Sequence, residues 1–198
     1  MTTLLRIDSS LRITDSYSRS MGDYFIRQWK KKHPEGSVIQ RDVAQRQLPH
    51  LNQETVTCFF DDTAYSENIQ LSDEFIDELY KSDGILITCP MYNYGISSSL
   101  KAYFDHVVRT KRTFTYDNGI KGLLLNKKAS IISTMGNLQS LTGELNPMEI
   151  HLTSILNQLG ITDISYFPLD GMIDPKEAGK KIEFQQSRID ECLIHELV

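Results

Sequence analysis

The run Asp83-Gly84-Ile85-Leu86-Ile87-Thr88-Cys89-Pro90-Met91-Tyr92-Asn93-Tyr94-Gly95 couples a buried-strand pattern to a loop equipped for a ligand. The apolar stretch stops at Pro90, two tyrosines then flank an asparagine, and Ser97-Ser98-Ser99 opens a helix. In an open α/β sheet, ligands bind in the crevice beyond the carboxyl ends of the strands. Met91, Tyr92, Asn93 and Tyr94 offer that crevice flat apolar surface, peptide N–H groups and one side-chain amide. Such groups suit a planar heteroaromatic ligand, with a flavin ring the leading candidate. Packing is the commoner fate of a tyrosine, so it is the place of the pair just after a strand that favours a ligand.

Two other loops carry matching chemistry. Ser9, Ser10, Ser16, Tyr17 and Ser18 set hydroxyls just ahead of a helix, whose first turn presents unpaired N–H groups and partial positive charge to a phosphate. Taken alone, these serines could equally do no more than cap the helix. Thr134-Met135-Gly136-Asn137 follows a later strand, and Gly136 lets the backbone approach a ligand closely. By itself that glycine-asparagine pair reads as an ordinary turn. The three loops together are far more specific than any one.

The elements that must position these loops follow from hydrophobic spacing. Leu4-Leu5-Arg6-Ile7 reads as the first strand, although Arg6 fits poorly in a strand buried on both faces. A helix carrying Met21, Tyr24, Phe25 and Trp29 on one side follows, and His33-Pro34-Glu35-Gly36 ends it. Residues 37–41 form a short second strand. Residues 43–70 make an excursion off the sheet, with an apolar patch at Val56 to Phe60 and room for a short helix. Leu71 to Lys81 is helical, residues 84–89 give the third strand, and Leu100, Tyr103, Phe104, Val107 and Val108 stripe the next helix. Thr113 to Tyr116 and the turn Asp117-Asn118-Gly119 predict a hairpin. Residues 128–133 are the fourth sheet strand. Asn146-Pro147-Met148-Glu149 starts a helix that runs to about Gly160. Residues 162–168 are the fifth strand, and Asp174-Pro175 opens a final helix to residue 197. Alternating strands and helices predict one domain over residues 1–198: a flavodoxin-like three-layer α/β/α sandwich with a five-stranded parallel sheet of order 2-1-3-4-5. The loops after strands 1, 3 and 4 then meet at one edge.

Composition narrows the function classes. A formal charge of -5 offers no basic stripe for nucleic acid. No apolar stretch reaches the roughly 20 residues of a membrane span. Residues 1–8 lack the pattern of a signal peptide. Cys58, Cys89 and Cys192 are scattered and odd in number, which indicates neither a disulfide framework nor zinc. The expected setting is the cytoplasm. Dinucleotide, Walker and nucleophile-elbow motifs are absent, His33, His50, His106, His151 and His195 show no metal spacing, and the third strand ends without a phosphate-accepting aspartate.

At this point the sequence resembles the FMN-dependent NADH-azoreductase family, flavodoxin-like enzymes that also reduce quinones. The resemblance rests on Asp8-Ser9-Ser10, Ser16-Tyr17-Ser18, Pro90-Met91-Tyr92-Asn93-Tyr94 with Ile96-Ser97, Leu100-Lys101-x-Tyr103-Phe104-Asp105, Phe114-Thr115-Tyr116 and Gly160-Ile161-Thr162-Asp163, and spans almost the whole chain. It implies one FMN per subunit, with Ser10, Ser16, Tyr17 and Ser18 on the phosphate and neighbouring groups. Met91, Tyr92, Asn93 and Tyr94 would hold the isoalloxazine, and Thr134, Met135, Gly136 and Asn137 its pyrimidine side. It implies a homodimer whose sites are lined by both subunits, with Tyr116 in the substrate pocket. Met135 stands where relatives often carry arginine, and Tyr94 where phenylalanine is common.

The activity so implied is a two-electron ping-pong transfer from NADH or NADPH to a small quinone or azo acceptor. No side chain is nominated as catalytic acid or base, because the flavin carries the chemistry. Two other classes stay open on the residues alone: a flavodoxin-type electron carrier serving a protein partner, and a regulatory module without flavin. The extra chain at 43–70 and 111–126 argues against the carrier, since a carrier needs no walled substrate pocket.

Overall fold

Three strands lie at the centre of the sheet around short apolar runs: β1 (Thr3–Asp8), β3 (Gly84–Pro90) and β6 (Lys128–Thr134) are buried along almost their whole length. Strands covered by helices on both faces have this character. The flanking β2 (Ser37–Asp42) and β7 (Asp163–Leu169) are only partly buried, as edge strands should be. All five run parallel in the order β2-β1-β3-β6-β7. The strand numbers differ from the expected 2-1-3-4-5 because the hairpin strands β4 (Phe114–Tyr116) and β5 (Ile120–Gly122) intervene and form an antiparallel sheet of their own. The structure, a computed structural model, describes residues 2–61, 63–137 and 146–195.

Register fixes which loops meet. Asp8 pairs with Thr88, and Thr134 pairs with both Pro90 and Leu169. The carboxyl ends of β1, β3, β6 and β7 therefore share one rim. Helices cover the two faces. Met21, Phe25 and Trp29 of α1 (Tyr17–Lys32) and Ile189 and Leu193 of α6 (Pro175–His195) pack with Leu4, Leu86, Ile132 and Phe167. On the other face, α3 (Asn68–Lys81), α4 (Ser98–Val107) and α5 (Pro147–Leu159) cover Leu5, Ile7, Ile85, Ile87 and Ile131.

Helix starts follow local chemistry. Ser97 caps α4 by accepting from the Leu100 N–H at 3.2 Å, and Asn146 caps α5 by accepting from the Met148 N–H at 3.0 Å. The excursion contains a single turn-and-a-half of helix, α2 (Gln53–Cys58), capped by Asn52. It is held down by buried Val43, Leu48 and Phe59, and by His106, whose Nε2 lies 2.9 Å from the Pro49 carbonyl. The helix expected from Leu71 begins three residues earlier, at Asn68, because the Ser66 hydroxyl and carbonyl accept from the N–H groups of Asn68 and Ile69. Residues 196 and 197, expected to end the last helix, lie outside the described residues.

Arg6 departs most from the simple reading. It is 4% exposed within β1, but it is not an uncompensated charge. Nε reaches Asp8 at 2.9 Å, Nη1 reaches Asp23 at 2.5 Å, and Nη2 donates to the Arg19 carbonyl at 3.1 Å. The Thr88 hydroxyl donates to Asp8 at 2.7 Å. Helix α1 comes close enough for this network because residue 22 is glycine: a Cβ there would sit 2.7 Å from Thr88 Cγ2 and 3.1 Å from Arg6 Nη2.

Candidate active site

Between β1 and α1 the chain gathers hydroxyls. Ser16 is the N-cap of α1; its Oγ donates to Ser10 Oγ at 2.9 Å and lies 3.2 Å from Ser18 Oγ. Ser10 and Ser18 are buried among protein atoms, Ser16 is half-buried and Tyr17 is exposed. The first turn of α1 holds no acidic residue, while its last turn holds Lys30, Lys31 and Lys32. The carboxyl end of the helix dipole is thus countered and its amino end is left positive, a favourable place for an anion. Ser9 plays a different part: its hydroxyl donates to the Thr88 carbonyl at 2.9 Å and fastens the loop to the sheet.

Asp42, at the end of β2, braces this loop from beneath. Burial pushes its carboxyl up, but hydrogen bonds from Arg19 and Gln45 outweigh burial and hold it below the ordinary carboxylate range. The same Asp42 contact, working against burial, raises the Arg19 guanidinium further above its already high value.

After β3 the chain makes a two-residue reversal. Tyr92 N–H donates to the Gly95 carbonyl at 2.9 Å and Gly95 N–H to the Tyr92 carbonyl at 3.0 Å. Asn93 and Tyr94 both adopt positive φ, 49° and 63°. Asparagine tolerates that conformation, but a tyrosine held there costs about 1–2 kcal/mol, and strain of this kind collects at ligand clamps. Among the described residues neither Asn93 nor Tyr94 N–H has an acceptor within the chain. Both side chains are exposed, Tyr94 to 76%. Tyr92 turns back instead, and its phenolic oxygen accepts from the Leu11 N–H at 3.1 Å, joining the loop after β3 to the serine loop. Met91 is half-buried against the core, and its N–H donates to the Thr134 carbonyl at 2.8 Å.

The third loop leans on a fourth. Met135 N–H donates to the Leu169 carbonyl at 2.8 Å, and Met172 N–H to the Met135 carbonyl at 3.0 Å. The N–H groups of Gly171 and Ile173 donate to the carbonyls of Asn137 and Gly136. Gly136 and Asn137 are exposed, whereas Thr134 and Met135 are buried. The Met135 sulfur accepts from Asn146 Nδ2 at 3.5 Å; that amide also donates to Tyr166 Oη at 2.6 Å, as does the Ser133 hydroxyl at 2.7 Å. A Cβ on Gly136 would stand 3.1 Å from Ile173 Cδ1. Residues 170–173, which sequence reasoning did not assign to the site, therefore form its outer support; Gly171, with φ of 68°, was the available signal.

Tyr116 is not brought to these loops within one chain. Its ring meets Phe114 edge-on at 5.5 Å and is 68% exposed. The base of its hairpin abuts the far end of α5, where Leu124 N–H donates to the Leu159 carbonyl and Gly122 lies against Gly160. At the end of β3, just before the loop that follows it, Cys89 is fully buried, 3.6 Å from the Met148 sulfur, and burial pushes its thiol up to about 11. Among the described residues no cluster of three or more His, Cys, Asp or Glu side chains could hold a metal ion, and no helix is long and apolar enough to cross a membrane.

A parallel five-stranded sheet flanked by helices, with three post-strand loops on one rim, is the arrangement of flavodoxin-type proteins, and residues 2–193 match the family described by its flavodoxin-like fold. The chain belongs to that family and, within it, to the group of FMN-dependent NADH:quinone oxidoreductases. It is 38% identical over 202 residues to the FMN-dependent NADH:quinone oxidoreductase of Hydrogenovibrio crunogenus, covering 98% of this chain and 100% of that protein. It is 36% identical over 197 residues to the protein of the same name from Escherichia coli O157:H7, covering 96% and 98% of the two chains. Its backbone is similar to that of an azoreductase from Bacillus anthracis str. Sterne, with a TM-score of 0.89 at 20% identity over 98% of this chain and 99% of that one. A FMN-dependent NADH-azoreductase from Bacillus anthracis str. Ames Ancestor, solved in complex with FMN, gives a TM-score of 0.85 at 19% identity, with both chains covered fully.

Proposed function

We propose that this chain, as one domain over residues 1–198, is an FMN-dependent NAD(P)H oxidoreductase that reduces quinones and azo compounds by two-electron ping-pong transfer. The observation that carries the reading is the rim itself. A dipole-positive helix end with three converging serine hydroxyls lies beside a strained turn whose two peptide N–H groups have no acceptor in the described chain. These donors fit FMN. The hydroxyls of Ser10, Ser16 and Ser18 and the first-turn N–H groups of α1 suit its phosphate, with Tyr17 beside them. Met91, Tyr92, Asn93 and Tyr94 suit one side of the tricycle, and Thr134, Met135, Gly136 and Asn137 its pyrimidine edge.

When bound, FMN supplies the redox chemistry, taking hydride from NADH or NADPH and passing two electrons to the acceptor. The protein's part is to bind and orient. Peptide N–H groups at Asn93, Tyr94, Gly136 and Asn137 would favour negative charge on the ring. No described side chain is assigned as a proton donor; water fills that role. The names carried by the sequence relatives favour this reading over a flavodoxin-type carrier.

The same proposal makes the protein a homodimer in the cytoplasm, where nicotinamide donors circulate. Phe60, Tyr65, Tyr116 and Ile120 stand exposed on the excursion and hairpin, and each subunit would place Tyr116 over its partner's site. Titration of the flavin-free chain with FMN, followed by steady-state assays pairing NADH or NADPH with a quinone and an azo dye, tests the activity. One FMN bound per chain and acceptor-dependent oxidation of the nicotinamide are expected. A chain that stays colourless, or one that binds FMN but gives only a stable one-electron state, would overturn the proposal.

A further inference from the structure

Arg19 lies in the first turn of α1, directly behind the serine cluster, yet its guanidinium is directed into the protein. Nε donates to the Arg12 carbonyl at 3.0 Å, and Nη2 donates to the Ser10 carbonyl at 2.7 Å and to Asp42 Oδ1 at 3.1 Å. Nη1 donates to Asp42 Oδ2 at 2.5 Å and lies 3.9 Å from Asp8. One hydrogen on Nε, one on Nη1 and two on Nη2 are engaged, which is four of the five a guanidinium carries. The side chain is 13% exposed. Asp42 is itself immobilised, because it accepts from the N–H groups of Ala44 and Gln45 at 3.0 and 3.1 Å.

A single planar fork thus grips the loop at Ser10 and Arg12 and ties it to the end of β2. Its charge is matched by Asp42 rather than left open to an anion. The Ser16 hydroxyl depends on this geometry, since its partner Ser10 belongs to one of the two gripped residues.

We infer that Arg19 is a positioning residue for phosphate recognition: it holds the Ser10–Ser16–Ser18 hydroxyls in place for the flavin's phosphate without touching that phosphate. The inference rests on the FMN reading above. Ordering a loop before the ligand arrives strengthens binding by removing that cost from association. Lysine cannot substitute, because a point charge does not span two carbonyls and a carboxylate.

Fluorescence titration of the flavin-free full chain with FMN and with riboflavin, which lacks the phosphate, separates the possibilities. The unmodified chain should prefer FMN; equal affinity for the two ligands would overturn the phosphate assignment itself. Given that preference, Arg19→Gln and Arg19→Lys should each weaken FMN on the order of tenfold and leave riboflavin unchanged. Unchanged FMN affinity in either variant, or an equal loss for both ligands, would overturn the positioning role. Asp42→Asn gives the independent check. If Arg19 acts through the loop, loss of its anchor lowers FMN affinity. If Arg19 reaches the phosphate, the released guanidinium raises it, and the inference fails.

Discussion

Replacing Arg6 with methionine tests whether the network under the serine loop is held by mutual compensation. The side chain is 4% exposed and meets Asp8, Asp23 and the Arg19 carbonyl at 2.9, 2.5 and 3.1 Å. Asp23 is largely exposed and can return to water, so the penalty centres on Asp8, which is 7% exposed. Removing one partner of a buried ion pair costs about 3–5 kcal/mol. Here Asp8 keeps the Thr88 hydroxyl at 2.7 Å and a distant Arg19 at 3.9 Å, which points to the lower end, roughly 3 kcal/mol. For a chain of this size that corresponds to a fall in melting temperature of about 6–12 °C. Urea denaturation of the flavin-free protein at fixed protein concentration measures it. Asp8→Asn in the Arg6→Met background removes the stranded charge while keeping an acceptor for Thr88, so the double variant should lose less than the sum of the singles by about 1 kcal/mol or more. A loss below about 1 kcal/mol for Arg6→Met, or strict additivity in the cycle, would refute the reasoning.

Three other outcomes are expected. Ser18→Ala removes one buried hydroxyl from the serine cluster proposed to hold the phosphate and should weaken FMN by roughly 10- to 150-fold, the equivalent of about 1.5–3 kcal/mol for a bond to a charged group; unchanged affinity in a fluorescence titration would move the phosphate elsewhere. Gly122→Ala would place a methyl 2.0 Å from the Gly160 nitrogen and 2.3 Å from the Leu159 carbonyl carbon. Backbone cannot step aside as a side chain can, so a loss of about 1–3 kcal/mol or more is expected, and an unaltered thermal midpoint would contradict the packing. Because Asp42 titrates below its ordinary range in the folded chain, its contribution is complete above the unfolded carboxylate value near ~3.9 and is lost as pH falls through the lower folded value. The gap in urea midpoint between the native chain and Asp42→Asn should therefore stay constant above about pH 5 and close below about pH 4; a gap that widens in acid would reverse the sign and refute it.

The central sheet was legible because its strands are buried on both faces and carry apolar runs at their centres, as Ile85-Leu86-Ile87 and Ile131-Ile132 show. The start of α5 was legible from Asn146 and Pro147, whose chemistry is local. What failed to show was long-range. Arg6 looks misplaced until Asp8, Asp23 and the Arg19 carbonyl are folded around it. Residue type argues against a left-handed tyrosine, so the strained turn at Tyr94 had no sequence signal. The bond from Leu11 to Tyr92 joins residues 81 apart in the chain, and the Met135 sulfur is engaged by Asn146, eleven residues further on. Ser9 and Ser10 are adjacent and identical in type, yet one fastens the loop to Thr88 and the other joins the hydroxyl cluster. Only their orientation distinguishes them.

Cys89 carries a consequence for durability. The thiolate is the form that alkylating agents and peroxides attack, and a thiol whose ionisation is pushed to about 11 stays almost wholly protonated in any living cell. Shut beneath Pro90 and against the Met148 sulfur, it occupies the last strand turn before the rim without becoming a casualty of whatever oxidants arise there.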